Sequence, residues 1–304
     1  MSVQEYEDRP VAIPSELNLS SLSGKSVLIT GGASGLGLAY AQAFVKAGAF
    51  VTIVDFNPQA GASAEADLAP NAMFVQCDVR KWEDLVAAFE KAVEASPRHS
   101  VDVVISNAGT IGADDIYTLD DPAGPPVKPN LRTVDVNLYG TIYTAKLAMH
   151  YFRRQPVDTD HDRCLIIKGS IAAYADQPGS PQYNISKWGA RGLFRNLRRT
   201  SHRENIRVNF VAPWYVRTPI LSAKIIDYLE GKGVKFATVD DCARAMLNIA
   251  SDPSIHGRSL GIVPREEAPQ GYVDLEHDDY QDGDFMKDWQ KTVLATAQSI
   301  VDLA

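Results

Sequence analysis

The 304-residue sequence predicts an α/β fold: a single doubly wound parallel sheet with helices on both faces. Three observations lead there. Short β-rich runs alternate with longer amphipathic stretches from about residue 26 to about residue 263. Two of those runs, Val27-Leu28-Ile29 and Val103-Val104-Ile105, are apolar without interruption, as strands covered on both faces must be. A glycine-rich turn joins the first run directly to the first amphipathic stretch.

Taken in order, the strands are expected at 26–30, 50–55, 73–77, 101–106, 164–168, 207–212 and 259–263. Helices are expected at 36–47, 82–95, 130–154, 182–203 and 239–250, and an apolar-spaced one near 285–303. Gly48 closes the first helix, because a residue without Cβ enters the left-handed conformation after a last turn at no steric cost. Segments 111–129, rich in Pro, Gly and Asp, and 156–162 read as loops. No internal repeat is present, so one domain suffices.

Composition narrows the function. At 45% hydrophobic and 22% charged residues the chain can bury a large core. A net charge of −8 argues against a general nucleic-acid binder, which depends on attraction to phosphates. The polar, acidic start Met1-Ser2-Val3-Gln4-Glu5 lacks the charge and apolar stretch of a secretory signal, and no apolar run spans a bilayer. Cys77, Cys164 and Cys242 are odd in number and far apart, so neither a disulfide framework nor a metal site is expected, and a soluble, cytoplasmic setting follows as the default. Arg191, Arg195, Arg198, Arg199 and Arg203 fall in one expected helix and read as a solvated face or subunit contact. Segment 273–288 carries seven acids against Lys287 alone and reads as an acidic surface loop, followed by a helix packed on the core or a partner subunit.

The chemistry-bearing residues sit at the ends of the expected strands. Thr30-Gly31-Gly32-Ala33-Ser34-Gly35-Leu36-Gly37 follows the first strand and opens the first helix, the context in which backbone amides and a helix N-terminus meet a pyrophosphate. Asp55 closes the second strand, twenty residues beyond Gly35, where a carboxylate accepts hydrogen bonds from ribose hydroxyls. Tyr183 and Lys187 are four apart and so share a helix face, and a cation near a phenol favours the phenolate.

The Gly-x-x-x-Gly-x-Gly spacing resembles that of the short-chain dehydrogenase/reductase family, and the rest of the chain matches the pattern in order. Tyr183-Asn184-Ile185-Ser186-Lys187 resembles its Tyr-x-x-x-Lys motif, Ser170 precedes Tyr183 by the family's usual thirteen residues, and Asn137 matches its fourth catalytic position. Asp78-Val79 looks like its adenine contact and Asn107-Ala108-Gly109 like its Asn-Ala-Gly turn, although Ser106 stands where another Asn is usual. Pro213-Trp214-Tyr215-Val216-Arg217-Thr218 resembles the segment whose Val and Thr contact the nicotinamide carboxamide, with Trp214 in place of the usual Gly. The runs 182–189 and 212–216 look similar to those of prostaglandin-type and fungal polyketide-alcohol dehydrogenases.

The resemblance implies a Rossmann-like domain at 24–263 that binds dinucleotide and carries catalysis, with 1–23 as an N-terminal extension and 264–304 as a C-terminal tail. It implies an NAD-dependent oxidoreductase of secondary alcohols and ketones that forms a homodimer or homotetramer. The cofactor-binding set would be Gly31, Ser34, Gly35, Leu36, Gly37, Asp55, Asp78, Val79, Asn107, Ala108, Gly109, Tyr183, Lys187, Pro213, Val216 and Thr218, and the catalytic set Asn137, Ser170, Tyr183 and Lys187. NAD is expected over NADP because Asp55 repels a 2′-phosphate, while Ser34, Phe56 and Asn57 offer it no charge and no arginine lies close in sequence. Trp214, Tyr215, Ile220, Leu221, Ile225 and Ile226 point to an apolar or aromatic substrate. A non-redox isomerase or cyclase and a dinucleotide-sensing binding protein are the rivals on the same scaffold. Neither has need of all four catalytic residues.

Overall fold

The computed structural model describes residues 3–112, 114–116, 120–155 and 162–303. Eight strands form one sheet in the order β3-β2-β1-β4-β5-β6-β7-β8. They are β1 Ser26–Thr30, β2 Phe50–Asp55, β3 Ala72–Gln76, β4 Val103–Ser106, β5 Cys164–Lys168, β6 Arg207–Pro213, β7 Ser259–Ile262 and β8 Tyr272–Asp274. The first seven are parallel, and β8 pairs antiparallel with β7. The chain reverses its direction of travel across the sheet between β1 and β4, which opens a crevice at the strands' C-terminal ends.

The helices are α1 Gly35–Lys46, α2 Pro58–Leu68, α3 Trp82–Ala95, α4 Arg132–Val134, α5 Gly140–Arg154, α6 Pro181–Leu197, α7 Ala223–Gly231, α8 Val239–Ser251 and α9 Phe285–Leu303. Alternating strand residues feed two cores. Val27, Ile29, Ile53 and Ile166 pack with Tyr40 and Phe44 of α1 and Met246 of α8, whereas Leu28, Val104, Leu165 and Ile167 pack with Phe89 of α3, Phe152 of α5 and Phe194 of α6.

The seven expected strands all form, with ends moved by one or two residues. Three elements went unread. In α2 the spacing is dominated by alanines and by Gly61, which lies where a side chain would collide with Phe74, so its apolar stripe is faint. Nothing on α7 is buried. The three residues of β8 are too few to show a period, and they lie in the stretch expected outside the domain. The expected helix 130–154 is interrupted by a π-helical turn, Asp135–Tyr139, which carries Asn137. The helix expected to run to 203 ends at Leu197, and a 3-10 turn, Ser201–Glu204, follows. The loop expected at 156–162 lies, apart from Asp162, outside the described residues.

The arginine and acidic segments require the largest correction, because each covers the other. Arg191 and Arg198 are buried rather than solvated. Arg191 Nε donates to Asp278 Oδ1 at 2.7 Å, and Arg198 and Arg199 donate to Asp279 at 3.0 and 2.5 Å. Asp278 is buried and also accepts from Tyr174 Oη at 2.8 Å and Ser259 Oγ at 2.5 Å. Tyr6, from the N-terminal extension, donates to Asp279 and lies under the Arg198 guanidinium, 4.0 Å from ring centroid to Cζ. Asp274 of β8 accepts from Arg258 Nε and Nη2, at 2.8 and 2.9 Å. Further on, Phe285, Trp289 and Val293 of α9 are exposed, so this helix does not pack these residues on the core.

No helix among the described residues is long and apolar enough to cross a membrane, and no group of three or more His, Cys, Asp or Glu among them is placed to hold a metal.

Candidate active site

A cleft runs along the C-terminal edge of the sheet. The turn after β1 forms one wall. Gly31 has φ +64°, and a Cβ on Gly37 would fall 2.0 Å from the Gly31 carbonyl oxygen, so only glycine allows α1 to start this close to β1. Asn107 braces the turn, donating from Nδ2 to the carbonyls of Thr30 (2.9 Å) and Gly31 (3.0 Å), while Thr30 Oγ1 accepts from the amides of Asn107 and Ala108. The first turn of α1 has no acidic residue, and the Ser34 hydroxyl caps nothing, which leaves the helix N-terminus open to an anion.

Gly31, Ser34, Gly35, Leu36, Gly37, Asp55, Asp78, Val79, Asn107, Ala108, Gly109 and Thr218 all line this cleft. Asp55 lines it while also closing the turn, for its two oxygens accept from the amides of Ala33 and Asn57, each at 3.0 Å. The Asp78 carboxylate is taken up by Arg80 in a bidentate pair of 2.9 and 2.6 Å, which holds it below the usual carboxylate range. Sequence reasoning missed Arg80, Arg132 and Lys168, which line the same cleft. The first two were missed because proximity to Asp55 was sought along the chain. Lys168 stands alone at a strand end with no motif around it.

Ser170, Tyr183, Lys187 and Asn137 stand beyond that lining, around the N-terminal half of α6. Ser170 opens the 3-10 turn Ile171–Ala173, and its Oγ accepts from the Ala172 amide at 3.1 Å. The Tyr183 phenol lies beside the Ser170 hydroxyl. Burial pushes the phenol above its ordinary value, the neighbouring Ser170 hydroxyl opposes this, and Tyr215 adds to the rise. The Lys187 ammonium lies 5.5 Å from the Tyr183 ring centroid, and burial and then the like charge of Lys168 pull its pKa well down. Asn137 reaches neither hydroxyl directly. Its amide clamps Thr110 (N to Oδ1, 2.7 Å; Nδ2 to O, 2.9 Å) and donates to Ser186 Oγ at 3.2 Å, and Ser186 donates to the Tyr183 carbonyl. The π turn makes this possible by swinging Asn137 out of helical register toward α6.

Pro213 and Val216 are buried and outside the cleft lining, Val216 being tied to Ala237 in an isolated bridge. Trp214 Nε1 donates to the Lys235 carbonyl at 3.0 Å, so the indole staples the segment after β6 where Gly was expected.

A family model described as short chain dehydrogenase matches residues 25–228. A protein named 5'-hydroxyaverantin dehydrogenase from Dothistroma septosporum is 38% identical over 90% of this chain and 93% of its own length. Its counterpart in Emericella nidulans is 37% identical over 88% and 91%. A protein of Phoma sp. named as an NADP-dependent dehydrogenase is 34% identical over 82% and 78%. Among solved structures, the 3-ketoacyl-(acyl-carrier-protein) reductase of Brucella melitensis, complexed with NADH, superposes with a TM-score of 0.69 at 26% identity, covering 79% of this chain and 97% of that one. With the doubly wound sheet, the glycine turn at the crevice and the Ser170–Tyr183 pair beside it, these matches make the chain a member of the short-chain dehydrogenase family.

Proposed function

We propose that the chain is an NAD-dependent dehydrogenase that interconverts a secondary alcohol and its ketone, on an apolar or aromatic small molecule of secondary metabolism. What carries this reading is the pairing of the Ser170 hydroxyl with the Tyr183 phenol beside a cleft whose glycine turn and open helix N-terminus fit a dinucleotide. The turn, Asn107, Asp55 and Lys187 would hold that dinucleotide, and when bound its nicotinamide supplies the hydride acceptor or donor.

The protein's own part is position and proton movement. Ser170 orients the substrate oxygen, and Tyr183 takes the hydroxyl proton in oxidation or returns it in reduction. The raised pKa of Tyr183 suits it to donate its proton in reduction, and in oxidation the phenol must first lose that proton, the phenolate then being favoured by a positive charge at Lys187 until it takes the alcohol proton. Asn137 keeps Thr110 and the Tyr183 turn of α6 in fixed relation. Exposed Ile220, which lines the cleft, and exposed Ile225 and Tyr228 on α7, which follows it, support an apolar substrate. The relatives named 5'-hydroxyaverantin dehydrogenase support an alcohol of polyketide type as the substrate.

Asp55 supports NAD over NADP, and Arg80 does not offset it because Asp78 occupies its guanidinium. Exposed Tyr139, Ile142, Ile185 and Trp188 support pairing of subunits into a dimer or tetramer, against which a 33.2 kDa species alone in light scattering would count. The deciding experiment is incubation with NAD or NADP and a panel of apolar and aromatic secondary alcohols, following nicotinamide absorbance. Turnover with NAD is expected; dinucleotide binding with no turnover of any alcohol or ketone would overturn the assignment.

A further inference from the structure

The catalytic corner holds two lysine side chains rather than one, Lys187 buried and Lys168 half-buried on the cleft wall. Lys187 enters from α6. Lys168 is the last residue of β5, two before Ser170, and shares the strand face of Cys164 and Ile166, which is the face covered by α1 and α8. The two lysines therefore converge on the strand ends from opposite sides of the sheet. They are close enough that the charge of Lys168 lowers the pKa of Lys187.

The Lys168 side chain lines the cleft. Its Nζ comes within 3.3 Å of the point that a Cβ on Gly109 would occupy, and so does Asn137 Oδ1, so ammonium and amide share the small volume left by that glycine. None of the described carboxylates pairs with it. The Cys242 thiol of α8 is its nearest titratable neighbour apart from Lys187, and burial pushes that thiol up to about 12, so it stays neutral. Asp55 and Asp78 lie toward the other end of the cleft lining, the first closing the glycine turn and the second taken by Arg80.

We propose that Lys168 selects the charge state of the bound cofactor: its ammonium disfavours the oxidised, cationic nicotinamide relative to the reduced, neutral one and so biases the bound equilibrium toward alcohol oxidation. The inference rests on the dinucleotide reading of the cleft. Hydride transfer moves two electrons and one proton from the alcohol carbon to the ring and abolishes the ring's positive charge, while the hydroxyl proton goes to Tyr183. The repulsion of a cationic ring by a positive charge on the cleft wall is relieved by that step, and such repulsion is stronger in a partly desolvated cleft than in open water. Burial brings the Lys168 pKa down to about 8, so the charge is present at neutral pH and titratable within a practical range.

The test is calorimetric titration of wild type and Lys168→Met with NAD+ and with NADH, without substrate. Wild type is expected to bind NADH at least about tenfold tighter than NAD+, and the variant to narrow that ratio about tenfold. A second measurement uses pH: raising it from about 7 to about 9 removes most of the Lys168 charge and should narrow the wild-type ratio by clearly more than that of Lys168→Met, in which only Lys187 remains to titrate at this corner. A ratio unaltered by the substitution, equal weakening of both forms, or a wild-type ratio flat across that pH range would each overturn the proposal. A wild type that binds neither form of NAD or of NADP would instead overturn the dinucleotide reading, and this inference with it.

Discussion

The dinucleotide cleft and the clasp formed by the two chain ends both bury polar groups, yet they do so by different means. In the cleft the partners are mostly backbone: Asn107 holds the Thr30 and Gly31 carbonyls, Asp55 holds the Ala33 amide, and Gly37 makes the close approach possible. In the clasp the partners are mostly charged side chains drawn from four distant places, Tyr6, Arg191 of α6 with Arg198 and Arg199 just past its end, Arg258 before β7 and Asp274–Asp279. A short chain of backbone contacts leaves a motif in the sequence. Ion pairs between distant segments leave only a charge imbalance in each, which is why the arginines and the acids separately looked like solvated surface.

The clasp also touches catalysis. Arg191 lies four residues beyond Lys187 on α6, and its Nη1 donates to the Ala173 carbonyl at 2.9 Å, while Tyr174 reports to the same Asp278. The turn that carries Ser170 is thus fastened to the helix that carries Tyr183 through a carboxylate of the C-terminal tail.

The sharpest contrast between the two regions should come from Tyr183→Phe against Asp278→Ala. Tyr183→Phe is expected to lower turnover by about a thousandfold or more while leaving thermal unfolding nearly unchanged, because only the proton donor is lost. Equal activity would remove Tyr183 from the reaction. Asp278→Ala should act mainly on stability, costing about 3–5 kcal/mol in denaturant unfolding by stranding a buried arginine and the Tyr174 and Ser259 hydroxyls, with a much smaller loss of turnover from the loosened Ser170 turn. A loss below about 1 kcal/mol would show that the clasp is ornamental.

Acid should weaken the clasp side first. His256 is buried against Arg198; its Nδ1 accepts from the Val208 amide at 3.1 Å, so Nε2 carries the proton and donates to the Arg198 carbonyl at 3.0 Å. Burial, with Arg207 and other nearby positive charge, lowers its pKa to about 4. Because the unfolded chain protonates this histidine near 6.5, the stability it contributes is full above that pH and is lost as pH falls toward 4, by about 3 kcal/mol at most. Unfolding midpoints at a series of pH values should show this slope, and His256→Gln should flatten it.

The smallest expected effect is in the cleft. Asp55→Ala should weaken NAD about tenfold and narrow or reverse the preference over NADP, as measured by the dissociation constants of both. If the carboxylate acts only as the cap on Ala33 and Asn57, both cofactors will weaken alike.

By itself the sequence determined the parallel sheet, the places of its first seven strands along the chain and most of the residues that line their C-terminal ends. These follow from apolar runs, turn chemistry and fixed spacings, all of which act over a few residues. It also determined that Tyr183 and Lys187 share a face, since helical periodicity alone requires that. The tertiary structure decided the rest: the π turn that aims Asn137 at Ser186, Arg80 occupying Asp78, Lys168 facing Lys187 across the sheet, and the closure of the arginine helix by an acidic tail. Each of these depends on which segments meet in space, and the energy of a buried charge is set by its partner and its solvation rather than by its neighbours along the chain.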